Sequence, residues 1–131
     1  MSDYDTGLEI RRAVVGDEYV DAVLARQDEF TAPFQDFVTR YAWGEVWGRP
    51  DLDRRTRSCV TVALLAALGR PQELALHLRG ALRNGVTPDE LREVLLQTAI
   101  YAGVPAANSA FALAQELLAE SAVTPAAEGE T

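Results

Sequence analysis

The sequence contains no lysine, a single cysteine and a single histidine, and each shortage excludes a class of chemistry. All 12 basic residues of this 131-residue chain are arginine, so no lysine amine can form a Schiff base or hold pyridoxal phosphate. Cys59 alone can form neither an internal disulfide nor a cysteine-rich zinc site, and His77 alone cannot build a multi-histidine metal site within one chain. We therefore expect an activity that uses no cofactor and no metal.

Two more absences concern partners and location. No apolar run approaches the roughly 20 residues that span a membrane, and the acidic, polar first residues are unlike a secretory signal. Twelve basic against 20 acidic residues give a net charge of −8, which disfavours nucleic acid because its phosphates require a basic surface. The lone cysteine suits a reducing compartment. We expect a cytoplasmic protein whose partner is a small molecule, with no nucleic acid and no membrane.

Apolar residues recur every three or four positions through most of the chain, and no segment shows the strict alternation of a strand. This pattern predicts an all-α fold: a single domain of six to seven helices over residues 7–119, between a flexible N-terminus (1–6) and a disordered tail (120–131). Glycine, proline and capping residues bound the predicted helices, which cover about 7–15, from 17 onward, 32–45, 53–68, 71–84, 88–101 and 105–118.

Several predicted helix ends carry capping residues: Asp53 at an N-cap, Thr87 and Glu90 at capping-box spacing, and Asn84-Gly85 at a left-handed C-cap. From Cys59 to Leu68 the fourth helix is apolar nearly all round, which predicts a central buried helix or a subunit interface. We expect Cys59 to pack in these apolar surroundings rather than to react.

Glu73 and His77 are four residues apart in the predicted fifth helix, so their side chains lie on one face. A carboxylate beside an imidazole orients it and favours its protonated form, which supplies a proton donor at neutral pH. The alternative is a surface ion pair, which contributes only about 0.3–0.5 kcal/mol on a helix. Apolar neighbours on both sides favour the catalytic interpretation.

Arg54, Arg55 and Arg57 occupy the first turn of the predicted fourth helix, and Arg49 lies just before them. Positive charge at a helix N-terminus opposes the helix dipole, and such a departure from a local rule is often functional. Guanidinium groups beside the free N–H groups of a helix start can bind carboxylates. In the alternative interpretation, nearby carboxylates neutralise the arginines in a solvated network, and the pattern alone does not choose between the two.

Both tryptophans, Trp43 and Trp47, lie before this cluster, with Glu45 between them. Trp43 has the position of a core or interface anchor, whereas Trp47 lies in a segment bounded by glycine and proline and is placed to wall a pocket. Tyr101, at the end of the sixth helix, either donates a phenolic hydrogen bond into a site or is a half-buried aromatic.

Segments that match a known family follow one another in order, at 43–47, 49–50, 52–58, 73–77, 80–87, 90–93 and 101–107. On these segments the chain resembles the carboxymuconolactone decarboxylase family from about residue 11 to residue 118. The wider superfamily includes alkylhydroperoxidase D-like thiol reductases, in which a Cys-x-x-Cys stands where this sequence has Arg70 and Glu73. Their proton-relay glutamate corresponds to Ser58 here. The side chains therefore exclude dithiol peroxidase chemistry.

The resemblance implies an alkylhydroperoxidase D-like helical subunit that forms a homo-oligomer, a hexamer or a trimer, and works without a cofactor. It also implies a reaction in which 4-carboxymuconolactone loses CO2 to give 3-oxoadipate enol-lactone, in the protocatechuate branch of the β-ketoadipate pathway. We expect this small anionic lactone to be bound by Arg49, Arg54, Arg55, Arg57, Trp47 and Glu45. We expect His77, oriented by Glu73, to donate the proton and Tyr101 to stabilise the oxyanion.

Two alternatives stay open. A non-catalytic acidic helical protein would bind a partner through its apolar fourth helix and would tolerate loss of His77. A related enzyme of the same fold would act on another small lactone or acid, or would be the separate partner of an enol-lactone hydrolase.

Overall fold

The computed structural model describes the backbone of residues 2–129 and the side chains of residues 2–121. Within these residues the regular structure is helical and contains no strand, which confirms the predicted all-α class. The chain divides into two compact units: the first ends at Arg57 and the second begins at Ser58, inside a helix.

The described residues form α1 (Asp3–Val15), α2 (Asp17–Arg26), α3 (Ala32–Phe37), a π-helix (Val38–Val46), α4 (Arg54–Leu68), α5 (Pro71–Arg83), α6 (Pro88–Ala102) and α7 (Val104–Gly129). The first unit contains the elements up to the first turn of α4. The second unit contains the rest of α4 and the three helices that follow.

In the first unit, α1 packs chiefly against the π-helix, and the two backbones meet at glycines. A Cβ atom at Gly7 would overlap the carbonyl oxygen of Thr39, and one at Gly44 would lie 3.1 Å from the carbonyl oxygen of Asp3. Gly7 therefore has no room for a side chain, whereas a Cβ atom at Gly44 would make a tight contact that a small shift of the neighbouring backbone could relieve.

The predicted third helix, 32–45, has the expected extent but changes its hydrogen bonding part-way. After Phe37 the α-helical pattern gives way to i→i+5 bonding, and the N–H of Trp47 still bonds to the carbonyl of Ala42 at 3.0 Å. The inward side chains of the π-helix are Thr39 and Trp43. The aromatic residues of this region are mostly exposed: Phe30, Phe34, Phe37 and Tyr41.

The second unit is built around one apolar core to which all four of its helices contribute. Its buried side chains are Val62, Ala66, Leu74, Leu78, Ala81, Val86, Leu91, Leu95, Ala110, Ala114 and Leu117. Cys59 packs against this core, as predicted. Only one face of α4 is buried, because Val60, Leu64 and Leu68 are exposed, and a subunit interface on the opposite face stays a prediction.

Capping residues fix several of the observed helix ends. The side chain of Asp53 caps α4, Thr87 and Glu90 form a complete capping box at the start of α6, and Gly85 follows α5 with a φ of +92°. All three predictions are confirmed. The capping side chains accept backbone N–H groups at the helix starts, and the positive φ of Gly85 gives the left-handed turn that ends α5.

The two ends of the chain differ from the sequence-based boundaries. Residues 3–6, predicted as flexible, form the first turn of α1, because the hydroxyl of Ser2 accepts a hydrogen bond from the N–H of Asp5. The last helix does not end near residue 118 but runs to Gly129, into the segment predicted as a disordered tail. The end of that tail, residues 130–131, lies outside the described residues.

Candidate functional site

His77 lies on α5, beside the helix face that packs into the core of the second unit. Its neighbours Leu74 and Leu78 are buried, and the Nδ1 atom of His77 is itself shielded from solvent. This burial lowers the pKa of His77 from 6.5 to about 4, and the negative charge of Glu73, one turn earlier, offsets only part of the effect. His77 is therefore neutral at pH 7 in the free protein. The expectation that Glu73 keeps it protonated is wrong, because desolvation outweighs the attraction of an exposed carboxylate.

Tyr101, the third predicted catalytic residue, lies one position before the end of α6 and is 82% exposed. Gly103 follows with a φ of +107°, a conformation that L side chains rarely adopt, and α7 begins directly after it. The alternative of a half-buried aromatic is therefore wrong. A role for the phenol as a hydrogen-bond donor stays a prediction.

In the first unit, Trp43 and Trp47 stack on one another with ring centroids 5.1 Å apart and planes inclined by 27°. Trp43 is buried, which confirms its interpretation as a core anchor, and Trp47 is half-buried just after the π-helix. Glu45 lies between them in sequence and is exposed. The π-helix thus presents one tryptophan inward and carries the second at its end.

Two arginines interact with the loop between the π-helix and α4 in different ways. Arg49 donates from Nη2 to the Oδ2 atom of Asp51 at 3.1 Å, in an exposed ion pair. Arg57 donates from Nη2 to the carbonyl oxygen of Arg49 at 3.3 Å, and its Nε atom is shielded from solvent. Arg57 therefore fixes the loop against the first turn of α4, whereas Arg49 presents its charge to solvent beside a competing carboxylate.

At the N-terminus of α4, one of the free backbone N–H groups already has a partner within the chain. The Oδ1 atom of Asp53 accepts the N–H of Thr56 at 2.7 Å, and this bond lowers the pKa of the Asp53 carboxyl, with help from the Thr56 hydroxyl and from the charge of Arg55. Arg54 and Arg55 are exposed in the same turn. Acidic neighbours therefore neutralise part of the arginine cluster, as the alternative interpretation has it. The two exposed guanidinium groups still make this turn a candidate carboxylate site.

Each unit holds one part of the predicted site. The six predicted substrate-binding residues lie in the last part of the first unit, from the π-helix to the first turn of α4. In the second unit, α5 places Glu73 and His77 one turn apart, and α6 carries Tyr101.

A sequence pattern of the carboxymuconolactone decarboxylase family matches residues 32–116. The chain belongs to this family. It is 48% identical over 122 residues to a 4-carboxymuconolactone decarboxylase of Acinetobacter baylyi, an alignment that covers 93% of this chain and 91% of that protein. It is also 43% identical over 115 residues to a nitrosuccinic acid decarboxylase of Metarhizium robertsii, covering 88% of this chain and 80% of the relative.

In this carboxymuconolactone decarboxylase family member, the matched region begins at the start of α3 and contains every predicted site residue. Helices α1 and α2 lie before it. Arg70 and Glu73, at the positions that hold cysteines in the thiol reductases, are both exposed at the start of α5. Neither side chain can undergo thiol–disulfide exchange, so dithiol peroxidase chemistry stays excluded.

Two buried polar groups of this family member were not selected as site residues from the sequence. Ser58 is fully buried on α4, and its Oγ atom accepts a hydrogen bond from Nδ2 of Asn84 at 2.8 Å, which links α4 to the end of α5. Arg11 is buried on α1. It is followed directly by Arg12, and nothing in the local sequence indicates which of the two arginines is buried. For Ser58 the sequence did offer a hint, because the related thiol reductases have their proton-relay glutamate at this position.

The second unit also contains a cavity of about 800 Å³ between α6 and α7, whose lining includes Leu91, Leu95 and Phe111 together with Arg92 and Gln115. None of the three predicted catalytic residues lines it. Among the described residues, no group of three histidine, cysteine, aspartate or glutamate side chains is arranged to hold a metal ion. No described helix combines the length and apolar character needed to cross a bilayer.

Proposed function

We propose that this protein is a cofactor-independent carboxy-lyase that converts 4-carboxymuconolactone into 3-oxoadipate enol-lactone, a step of protocatechuate catabolism. The observation that carries the proposal is 48% identity, over 93% of the chain, to the Acinetobacter baylyi protein named for this decarboxylation. The family match over residues 32–116 supports the same class of reaction.

The substrate supplies its own electron sink, so the reaction needs neither a lysine nor a metal. The bond between the ring carbon and the departing carboxylate breaks, and its electron pair moves through the ring double bond onto the lactone carbonyl oxygen. CO2 leaves, and one proton then adds to a ring carbon. The protein has to bind the dianion, stabilise the oxyanion and deliver that proton.

The exposed arginines bind the acetate arm of the substrate. Arg54 and Arg55 face solvent in the first turn of α4, and the exposed pair between Arg49 and Asp51 is weak enough to be exchanged for a substrate carboxylate. Arg57 contributes indirectly, because its hydrogen bond to the carbonyl oxygen of Arg49 holds the loop that carries Arg49. A cation placed on the departing carboxylate would favour the ground state over the transition state, so that carboxylate faces the apolar ring of Trp47, with Glu45 beside it.

His77 becomes protonated when the substrate binds. With a pKa of about 4 it is neutral at pH 7 in the free protein, and a neutral imidazole is a poor acid toward carbon. A dianion bound within about 4–6 Å favours the imidazolium form and raises the pKa of His77, and Glu73 acts in the same direction. The proton that ends on the ring carbon therefore comes from solvent through His77, and Tyr101 donates its phenolic hydrogen to the oxyanion.

The test follows the ultraviolet absorbance of 4-carboxymuconolactone with purified protein, coupled to an enol-lactone hydrolase that consumes the product. His77→Ala and Glu73→Gln are compared with Arg79→Gln, which removes an exposed charge from the same helix. We expect Arg79→Gln to keep full activity and His77→Ala to lose about 10²–10⁴-fold in kcat. Glu73→Gln should lose less. Unchanged turnover in both site variants would remove these residues from the mechanism.

Nitrosuccinate serves as the second substrate in the same assay, because one relative is named for its decarboxylation. Turnover of the lactone alone supports the proposal, and turnover of nitrosuccinate alone assigns the enzyme to the other substrate. Turnover of neither compound would favour the non-catalytic helical protein.

The active form is a homo-oligomer, a hexamer or a trimer, in the cytoplasm. Support for association comes from apolar side chains exposed at helical spacing on two surfaces: Phe30, Phe34, Phe37 and Tyr41 in the first unit, and Val60, Leu64 and Leu68 in the second. Exposed apolar side chains that cluster on one surface often mark an interaction site. Light scattering on the purified protein measures the mass directly, and the mass of a single subunit would contradict association.

A further inference from the structure

Arg11 is a buried cation for which the described residues provide no carboxylate. It lies on α1 with 6% of its surface exposed, and none of the ion pairs in the described part of the chain includes it. Burial lowers the pKa of the guanidinium, and the phenol groups of Tyr19 and Tyr4 offset part of that effect. Burying a charge is costly unless hydrogen bonds or an opposite charge compensate it, so the hydrogen-bond partners of Arg11 matter for the stability of this region.

Two hydrogen-bond acceptors of Arg11 lie on the two sides of one structural junction. Its Nη1 atom donates to Oε1 of Gln35 at 3.0 Å and to Oγ1 of Thr39 at 3.3 Å. Gln35 belongs to α3, and Thr39 is the second residue of the π-helix. The guanidinium therefore bridges the point where the i→i+4 pattern changes to i→i+5.

This junction determines where later side chains point. A π-helix holds about one residue more per turn than an α-helix, so relaxation to α-helical bonding would turn every following side chain about the axis. The side chains of Trp43 and Glu45 would turn in this way. The direction in which the chain reaches Trp47 would change as well. Long π-helical segments are rare, and one that is retained needs tertiary contacts to hold it.

We infer that Arg11 is a positioning residue: its guanidinium holds Gln35 and Thr39 together across the junction and thereby fixes the π-helical geometry that orients Glu45 and Trp47. The inference rests on the proposed function in so far as these two residues bind substrate. It concerns a helix outside the family match, since residue 11 precedes the matched region.

The tryptophan pair reports this geometry without any assay of activity. Trp43 and Trp47 are the only tryptophans of the sequence, and their rings are close enough to couple. Stacked indoles give a coupled pair of bands in far-ultraviolet circular dichroism. Loss of these bands in Trp47→Phe assigns them to the pair.

The experiment compares Arg11→Met with Arg12→Met. Both variants remove one arginine from α1, but Arg12 is partly exposed and pairs with Asp17 and Asp21 instead. We expect Arg11→Met to lose at least half of the coupled signal and to raise KM about 10–100-fold with a smaller change in kcat, because the displaced residues bind substrate rather than protonate it. Arg12→Met should keep both the signal and the KM.

A second pair of variants covers the case in which Arg11→Met does not fold. Thr39→Val removes one acceptor at nearly constant volume, and Thr39→Ser keeps it. We expect the signal to fall and the KM to rise in Thr39→Val, and both to recover in Thr39→Ser.

An unchanged tryptophan signal in Thr39→Val, or equal losses in Arg11→Met and Arg12→Met, would overturn the inference. A lost signal with unchanged KM would overturn the positioning role. If the wild-type protein does not act on the lactone, the proposed function fails, whereas the spectroscopic comparison still decides whether Arg11 holds the π-helix.

Discussion

Glu73 and His77 lie one helical turn apart on α5, yet the carboxylate does not keep the imidazole charged. Burial lowers the pKa of His77 to about 4, and Glu73 recovers only part of the shift. A neutral imidazole beside a core has two measurable consequences: one concerns the stability of the fold in acid, and the other concerns the pH range in which His77 can act as an acid.

The stability of the protein should fall between pH 6.5 and pH 4, and His77 should cause part of the fall. The folded-state pKa is depressed, so below pH 6.5 the unfolded chain takes up a proton that the folded chain does not. At 1.36 kcal/mol for each pH unit, the full effect is on the order of 3 kcal/mol. Urea unfolding across this range should show a shallower pH dependence in His77→Gln than in the wild type. Parallel curves would mean that the imidazole is not buried.

The pH dependence of kcat/KM should show which form of His77 reacts. This ratio reports the pKa values of the free enzyme, so if the imidazolium donates the proton, kcat/KM should fall about tenfold per pH unit above the pKa of about 4. The dependence of kcat reports the complex, in which the dianion raises the pKa, so its plateau should extend to higher pH. His77→Gln should remove the slope in kcat/KM. A flat wild-type profile between pH 5 and pH 8 would assign the proton to another donor.

Helix positions could be predicted from the sequence because they depend on local signals. The side chains of Asp53 and Thr87 cap the helices that follow them, and Gly85 adopts the positive φ that a glycine allows. The change to a π-helix at Val38 could not be predicted, since it depends on contacts with Arg11 and on the close approach of α1. Both partners are about 30 residues away in sequence, beyond the reach of any periodicity.

The chemistry of the site could be predicted only as far as residue type and spacing determine it. The spacing placed Glu73 and His77 on one helix face, but the charge of the imidazole depends on how deeply the core buries it. Likewise, the sequence shows an arginine cluster. Only the structure shows that Arg57 is bonded to the loop backbone while Arg54 and Arg55 face solvent. Three-dimensional packing, which no local pattern contains, decides both points.

Substitutions at Arg49 and Asp51 should move KM in opposite directions. If Arg49 binds the substrate as proposed, Asp51, which contacts its guanidinium at 3.1 Å, competes with the substrate for it. Arg49→Gln would then remove the proposed charge-assisted hydrogen bond to substrate, worth about 1.5–3 kcal/mol, and should raise KM about 10–100-fold. Asp51→Asn removes the competitor and should lower KM by up to about fivefold, because an exposed ion pair contributes at most about 1 kcal/mol. Steady-state kinetics of both variants tests this, and an increase of KM in Asp51→Asn would contradict competition.

An alanine at position 7 should destabilise the protein, although alanine is the better helix former. In an open helix the change from glycine to alanine stabilises by about 0.5–1 kcal/mol. At Gly7, however, the new Cβ would overlap the carbonyl oxygen of Thr39, and a backbone atom cannot rotate out of the way. Overpacking of this kind costs about 1–3 kcal/mol, so the net change in the free energy of unfolding should be negative. Urea unfolding of Gly7→Ala measures it, with Glu9→Ala on the exposed side of α1 as the control. Equal or higher stability in Gly7→Ala would show that α1 and the π-helix are not in close contact.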